Sequence, residues 1–226
     1  HPILEARVLY ARATQYLSHY IEPFLASSDG RVYAKFHPWT QNTGRWSTVD
    51  PPLAQLPHAL RDALLPDKGW QWVEFDWSTI ELRLIAALAH DVPLLDAFEK
   101  EWDVHTMHMC QIFGYPLPSL LTKQGIREST AWISSIGFQD DDPRRVFAKT
   151  LVYRLCYGGR PEGAPSIPGA MALGLKSEAL VAASRRWIAA HQPIKRFWKT
   201  TEQAALTKRQ LRTFLGRRWN FLGHDK

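Results

Sequence analysis

An α+β fold, mostly helical, is what this sequence predicts, and three observations predict it. Apolar residues recur at helical spacing over several long stretches. Between them lie short stretches that alternate apolar and polar residues as strands do. The chain is 226 residues long and 45% hydrophobic, with ten tryptophans, enough apolar matter for a packed core in one substantial domain or two small ones.

In chain order, residues 3–25 carry Ile3, Leu4, Val8, Leu9, Tyr16, Leu17, Tyr20 and Ile21 at helical spacing and meet Pro23 and the SSDG turn, which predicts a helix followed by a reversal. RVYAKFHP, after Gly30, alternates like a strand. QNTGRWSTVDPPLAQLPHAL is rich in proline and turn residues and reads as an ordered, extended connection; connections of that length are often functional. WQWVEFD, residues 70–76, reads as a strand running into a helix over STIELRLIAALAHD, with Ser78 or Thr79 placed to cap its first turn. LLDAFEK and DVHTMHMCQIFG read as helices, and residues 115–141 as an irregular insertion. DPRRVFAKTLVYRLCYGG is the best-bounded helix, with Asp142 as N-cap, Pro143 at its first position and glycines past its end. PEGAPSIPGAMALG is a loop, SEALVAASRRWIAAH and PIKRFWKTTEQAAL are helices, and QLRTFLGRRWNFLG is a closing hairpin.

Composition narrows the function classes. No apolar run reaches the roughly 18 residues of a membrane span, and HPILEARVLYARATQ lacks the order of a signal peptide, so the expectation is a soluble, intracellular protein without membrane contact. Two cysteines, Cys110 and Cys156, make neither a disulfide framework nor a metal cluster. The net charge of +6 is uneven: eleven lysines and arginines follow residue 184, against Glu202 and Asp225. Such a polycationic tail is either a set of solvated helix faces or a surface for a phosphate-rich partner.

Two constellations could carry chemistry. VEFDWSTIELRLIAAL places Asp76, Glu81 and Arg83 inside an apolar run, where charges are costly without partners. A carboxylate at a strand end suits a metal or catalytic group, while a capping Asp76 and an ion-paired Glu81 would explain the same letters. Arg145, Lys149, Tyr153 and Tyr157 follow one another at i, i+4, a stripe drifting about 40° per step. Two cations and then two phenols would suit a nucleotide, phosphates first; a cationic face with two core tyrosines would look alike.

In register, FDWSTIELRLIAALAHD resembles the first palm motif of family A DNA polymerases, roughly D-Y-S-Q-I-E-L-R. RRVFAKTLVYRLCYGG resembles their fingers helix, R-x-x-x-K-x-x-x-[FY]-x-x-x-Y-G. TGRWSTVDPPLAQLP, DVHT and TFLGRRWNF resemble three further elements of the family, in the family's order. The resemblance implies a right-hand polymerase architecture, with an antiparallel-sheet palm and a mostly helical fingers subdomain. It places the end of the thumb and the palm in residues 1–100, the fingers in 101–210 and a return toward the palm in 211–226.

By the same resemblance the chain is a DNA-directed DNA polymerase core with primer-template DNA and deoxynucleoside triphosphates as partners and Mg²⁺ as cofactor. Asp76 and the Trp77 carbonyl would bind metal, and Glu81 would exclude ribonucleotides. His105, Arg145, Lys149 and Tyr153 would hold the incoming dNTP, with Lys149 the proton donor to pyrophosphate and Tyr153 permissive for dideoxynucleotides. Arg45, Tyr157, Arg217 and Arg218 would contact DNA. Trp77, Thr79 and the Ala54–Gln55 pair depart from the family's letters. The third motif, His-Asp-Glu, has no counterpart at the family's spacing, since His224-Asp225-Lys226 follows Gly216-Arg217-Arg218 too closely. The expectation is a fragment incomplete at the C-terminus that lacks the second catalytic carboxylate. The alternative is a catalytically silent polymerase derivative that binds DNA or nucleotide.

Overall fold

The computed structural model describes residues 2–41, 43–139, 141–170 and 173–220. His224-Asp225-Lys226, and Asp140 of the acidic run 140–142, lie outside them. The chain divides into two compact units, His1–Phe75 and Asp76–Lys226.

In the first unit the helix predicted over 3–25 forms as α1 (Pro2–Tyr16), a π-helical turn (Leu17–Ile21) and α2 (Glu22–Leu25). Pro23 is tolerated because it falls in the first turn of α2, where its missing N–H is not needed. Tyr20 is the buried residue of this helical run, and its hydroxyl donates to the Gln55 carbonyl at 2.9 Å. The strand predicted after Gly30 shortens to β1 (Lys35–His37), and its antiparallel partner is β2 (Ser47–Val49), in a segment that reads as connection by sequence. The half-ladder holds because the buried Thr48 hydroxyl accepts the Ala54 N–H at 2.8 Å, which folds the proline-rich stretch back over β2. A short helix, α3 (His58–Arg61), follows.

The second unit is helical. Around one apolar core stand α4 (Ile80–Ala89), α5 (Val92–Glu99), α6 (Val104–Phe113), α7 (Lys123–Glu128), α8 (Thr130–Ile136), α9 (Pro143–Cys156), α10 (Ser177–Ala190) and α11 (Gln192–Lys208). Helix α9 packs against α6, α10 and α4; α10 also lies on α6, and α11 on α4. The caps follow residue chemistry. Asp91, Asp103, Thr122 and Asp142 each accept a backbone N–H from the first turn of α5, α6, α7 and α9, satisfying donors that a helix start leaves open. The predicted hairpin forms as β3 (Gln210–Arg212) and β4 (Arg218–Asn220), with Leu211 opposite Trp219.

Three expectations need correction. WQWVEFD is not a strand: residues 70–77 are irregular and exposed, with Trp72 at 69% and Phe75 at 86%. Alternation marks two faces, but a strand also needs a hydrogen-bonded neighbour, and none pairs with this segment among the described residues. Among the described residues, antiparallel pairing is therefore confined to two separate two-stranded ladders. Second, neither Ser78 nor Thr79 caps α4. Thr79 is left-handed (φ 53°) and its hydroxyl donates to the Ser78 carbonyl instead. Third, the 115–141 insertion is not irregular, because α7 and α8 form within it and bury Ile126 and Trp132 in the common core.

Candidate active site

The charged run at the start of α4, costly if enclosed, is in fact not enclosed. Asp76 and Trp77 are exposed, and so is Arg83, whose Nε donates to the Ser78 carbonyl at 3.0 Å while its guanidinium lies 4.4 Å from the Phe98 ring centre. Only the Leu82 and Ala86 face of α4 enters the core. That face fixes the rotation of α4 and leaves Glu81 at the boundary, half-buried.

Helix α9 supplies the opposing side. Phe147, Ala148, Leu151, Val152 and Leu155 are buried against the core, which turns the stripe toward the boundary: Arg145 and Tyr153 half-buried, Lys149 and Tyr157 exposed. Arg145 is not left loose. Its Nη2 donates to both carboxylate oxygens of Asp103, at 2.7 and 3.0 Å, and its Nε to the Thr106 hydroxyl at 3.2 Å. Because Asp103 is also the N-cap of α6, accepting the N–H groups of His105 and Thr106 at 3.1 Å, a single carboxylate fixes both the helix start and the guanidinium.

His105 is the neighbour of that pair. Its ring centre lies 6.1 Å from that of Tyr153, and its buried Nδ1 has no hydrogen-bond partner among the described residues. Burial pushes its pKa down to about 4, with further lowering from Arg145, Lys149 and Lys123 outweighing the carboxylate of Asp103. The imidazole is thus neutral near pH 7 while facing two cations. The Tyr153 phenol is held above its usual pKa by burial and then by the negative charge of Glu81. His105, Tyr153 and the Asp103-held Arg145 thus stand together where α6 packs on α9, and α4, which carries Glu81, packs on α9 as well.

Other predicted residues lie elsewhere. Tyr157 ends α9 and borders a cavity of about 900 Å³ that also takes in Arg160, Lys195, Trp198 and Lys199. The Trp198 indole donates to the Cys156 carbonyl at 2.9 Å and ties α11 to that end of α9. Arg217 and Arg218 are exposed on the β3–β4 hairpin, with Arg217 5.6 Å from the Trp219 ring centre. Arg45 is exposed in the first unit, before β2. Both cysteine thiols are buried, and burial raises them to about 11 for Cys110 and about 12 for Cys156, so neither is a reactive thiolate.

A two-ion phosphoryl-transfer site needs carboxylates converging from separate elements. Asp76 offers one, and the described residues contain no group of three or more His, Cys, Asp or Glu side chains able to hold a metal ion. By themselves they do not fit a two-metal centre.

Sequence spacing could not show the Asp103–Arg145 pair, although the acidic residue before the histidine is the one signal that pointed there. Arg144, beside it on α9, gave no signal beyond its charge.

The fold matches part of a DNA polymerase POL domain. The chain superposes over its whole length on 37% of the POL domain of Pol1 from M. smegmatis, solved in complex with DNA primer-template and dNTP, at a TM-score of 0.74 and 23% identity. A model of DNA polymerase family A matches residues 1–225, and the chain belongs to that family. Among curated relatives, it is 34% identical over 125 residues to the thermostable DNA polymerase I of Thermus aquaticus, covering 51% of this chain and 15% of that protein. It is 27% identical over 231 residues to that of Thermus thermophilus, covering 96% and 24%, and 29% identical over 195 residues to DNA polymerase I of Pseudomonas aeruginosa, covering 84% and 19%. The chain thus spans less than a quarter of the length of these relatives. Among the described residues no helix is long and apolar enough to cross a membrane.

Proposed function

We propose that this chain forms the nucleotide-binding part of a DNA-directed DNA polymerase that adds a deoxynucleotide from a dNTP to the 3′-OH of a DNA primer. The observation that carries the reading is the meeting of His105, Tyr153 and the Asp103-held Arg145 where α6 packs on α9, with Lys149 one turn further along α9, in a chain of family A. Lys149 is exposed and its Nζ donates no hydrogen bond to the described residues, so its ammonium is available to phosphate oxygens. Arg145 uses Nε and Nη2 for Thr106 and Asp103, which leaves Nη1 to donate to a phosphate oxygen.

In this reading the primer 3′-OH gives its proton to solvent water as its oxygen attacks the α-phosphorus, the bond to the bridging oxygen breaks, and pyrophosphate leaves carrying the negative charge. Lys149 then donates a proton to that leaving group. Neutral His105 adds a hydrogen bond without competing for the same anion as a third cation would. Tyr153 offers a flat face to base or sugar, and Glu81 crowds the sugar. Arg45, Tyr157, Arg217 and Arg218 are assigned to primer-template. The division into thumb end and palm (1–100), fingers (101–210) and return (211–226) belongs to the same proposal. Mg²⁺ supplies charge stabilisation in polymerases of this kind; Asp76 and the Trp77 carbonyl are assigned to it, and no step above is routed through it.

The test is equilibrium binding of dATP to the chain, with and without Lys149→Ala. Removing one ammonium that meets a phosphate directly should weaken binding by at least about ten-fold, with primer-template affinity changed much less. Primer extension by this chain, lost on Asp76→Ala, would exclude the silent nucleotide-binding derivative. Equal weakening of both ligands, or no dATP binding at all, would count against the assignment.

A further inference from the structure

The residue next to the proposed phosphate-binding Arg145 is tied down at every guanidinium nitrogen, and its partners all belong to the insertion or to the α9 cap. Arg144 donates from Nε to Asp142 Oδ1 at 2.8 Å and from Nη2 to Asp142 Oδ2 at 2.5 Å. From Nη1 it donates to the Ile136 carbonyl at 2.9 Å and to the Tyr115 hydroxyl at 3.1 Å, and from Nη2 also to the Gly137 carbonyl at 3.2 Å. The guanidinium lies 5.0 Å from the Tyr115 ring centre. Tyr115 stacks on Phe113 at the end of α6, and Phe113 packs on Phe147 of α9. One planar cation therefore joins both ends of the 115–141 insertion to the two helices that hold the Asp103–Arg145 pair.

The insertion is stiff enough to transmit that grip. Trp132 is buried, stacks obliquely on Phe138 at 5.2 Å and donates its indole N–H to the Pro116 carbonyl at 2.6 Å. It also reaches the other half of the ion pair: the Asp103 backbone N–H donates to the Leu121 carbonyl at 2.6 Å. Asp103 is thus held from behind by Leu121, and α9 is held at its first turn by Arg144.

We propose that Arg144 is a positioning residue, and that the insertion is a brace which, through Arg144 and Leu121, fixes the spacing of α6 and α9 and so the placement of Arg145 for the triphosphate. The inference rests on the nucleotide-binding reading above and adds to it a role for residues 115–141. A lysine could meet Asp142 but could not at once reach two carbonyls and a hydroxyl, since it lacks the fork.

Arg144→Ala, Arg144→Lys and Tyr115→Phe in the full chain test this, read by amide hydrogen exchange and by dATP and primer-template binding. Arg144→Ala should speed exchange in residues 143–149 and 103–108 while leaving α11 unchanged. It should weaken dATP binding by about five- to ten-fold, with primer-template affinity within about two-fold, because small misplacement of a phosphate-binding group is costly. Arg144→Lys should fall between, and Tyr115→Phe, which keeps the stack, close to the unsubstituted chain. Unchanged exchange at the start of α9, exchange raised uniformly through all helices, or local loosening with unaltered dATP affinity would each overturn the proposal. If the unsubstituted chain binds no dATP, the nucleotide reading fails and the role in nucleotide placement falls with it, while the exchange data still decide whether Arg144 joins insertion and helix.

Discussion

Arg145 and Asp103, 42 residues apart in the chain, meet between α6 and α9 with the guanidinium Nη2 2.7 and 3.0 Å from the two carboxylate oxygens. The same carboxylate caps α6, so the helix start, the cation and His105 two residues on form one unit. A charge placed this way is held still before any ligand arrives, and the cost of ordering it is not met again on binding.

The unit can be taken apart one function at a time. Asp103→Asn keeps an acceptor for the cap and removes the charge; with the carboxylate nearly buried, it should lower stability by about 1–3 kcal/mol. Asp103→Ala removes the cap as well and should cost about 1 kcal/mol more. Urea unfolding of both variants measures the difference, and equal costs would mean that the cap contributes nothing. Asp103→Asn should also lower the His105 pKa further, since Asp103 is the group that raises it, a change visible in the imidazole carbon-bound proton shifts.

A second prediction concerns acid. His108 is fully buried, neither ring nitrogen has a hydrogen-bond partner among the described residues, and its neighbours are Trp187 and His191, each with ring centres 5.8 Å away; His191 Nδ1 in turn lies 3.0 Å from Asp91 Oδ1. Burial, then His191 and His105, hold the His108 pKa well below the ordinary value of 6.5, and His105 sits at about 4. In both cases the folded pKa is depressed, so below 6.5 the unfolded chain binds the proton that the folded chain refuses. Stability is complete above about pH 6.5 and falls with pH, by about 1.4 kcal/mol per unit for each histidine, down to about pH 4 for His105 and lower for His108. Denaturation at pH 7.5, 6.0 and 5.0 should show this slope. His108→Leu should remove about half of it and raise stability at neutral pH, because an orphaned buried imidazole is replaced by a side chain that needs no partner. A slope unaffected by His108→Leu would exclude this origin.

The hairpin cations should behave differently from the stripe. Arg212, Arg217 and Arg218 are exposed on a two-stranded ladder beyond α11. Replacing all three with Ala should flatten the salt dependence of primer-template affinity, by about one unit of log–log slope for each phosphate no longer neutralised, and leave dATP binding within about two-fold. An unchanged slope would remove the hairpin from the DNA surface.

What could be read in the letters was what short-range chemistry decides. Asp142-Pro143 at the start of α9, the stripe it carries and the closing hairpin all stand as the local residues dictate. Relations set by packing were hidden. Asp91 and His191 are 100 residues apart, and β2 exists only because Thr48 finds Ala54 and β1 finds its register. The 115–141 segment looked irregular because its two helices are short and its prolines and glycines frequent, yet Trp132 and Ile126 reach the same core as α6 and α9. Residues 70–76 misled in the opposite direction, because an alternating pattern states which faces are apolar and says nothing about whether a neighbouring strand is there to pair.

The seat of α4 gives the last prediction. Leu82 is wholly buried beside Glu81, whereas Leu84, two residues on, is 40% exposed. If the rotation of α4 is set by its core face, and that rotation is what brings Glu81 to Tyr153, then Leu82→Ala should cost about 2–5 kcal/mol through reduced burial and an unfilled cavity. Leu84→Ala should cost under about 1 kcal/mol. The two variants remove the same atoms from the same helix, so the difference measures the seat and not helix propensity. Leu82→Ala should also relieve the influence of Glu81 on Tyr153 and let the phenol pKa, raised in the intact protein, drift back toward 10, followed by ultraviolet titration. Equal costs for the two substitutions would show that α4 is positioned by something other than its buried stripe, and the path from core packing to the candidate site would have to be sought in α9 alone.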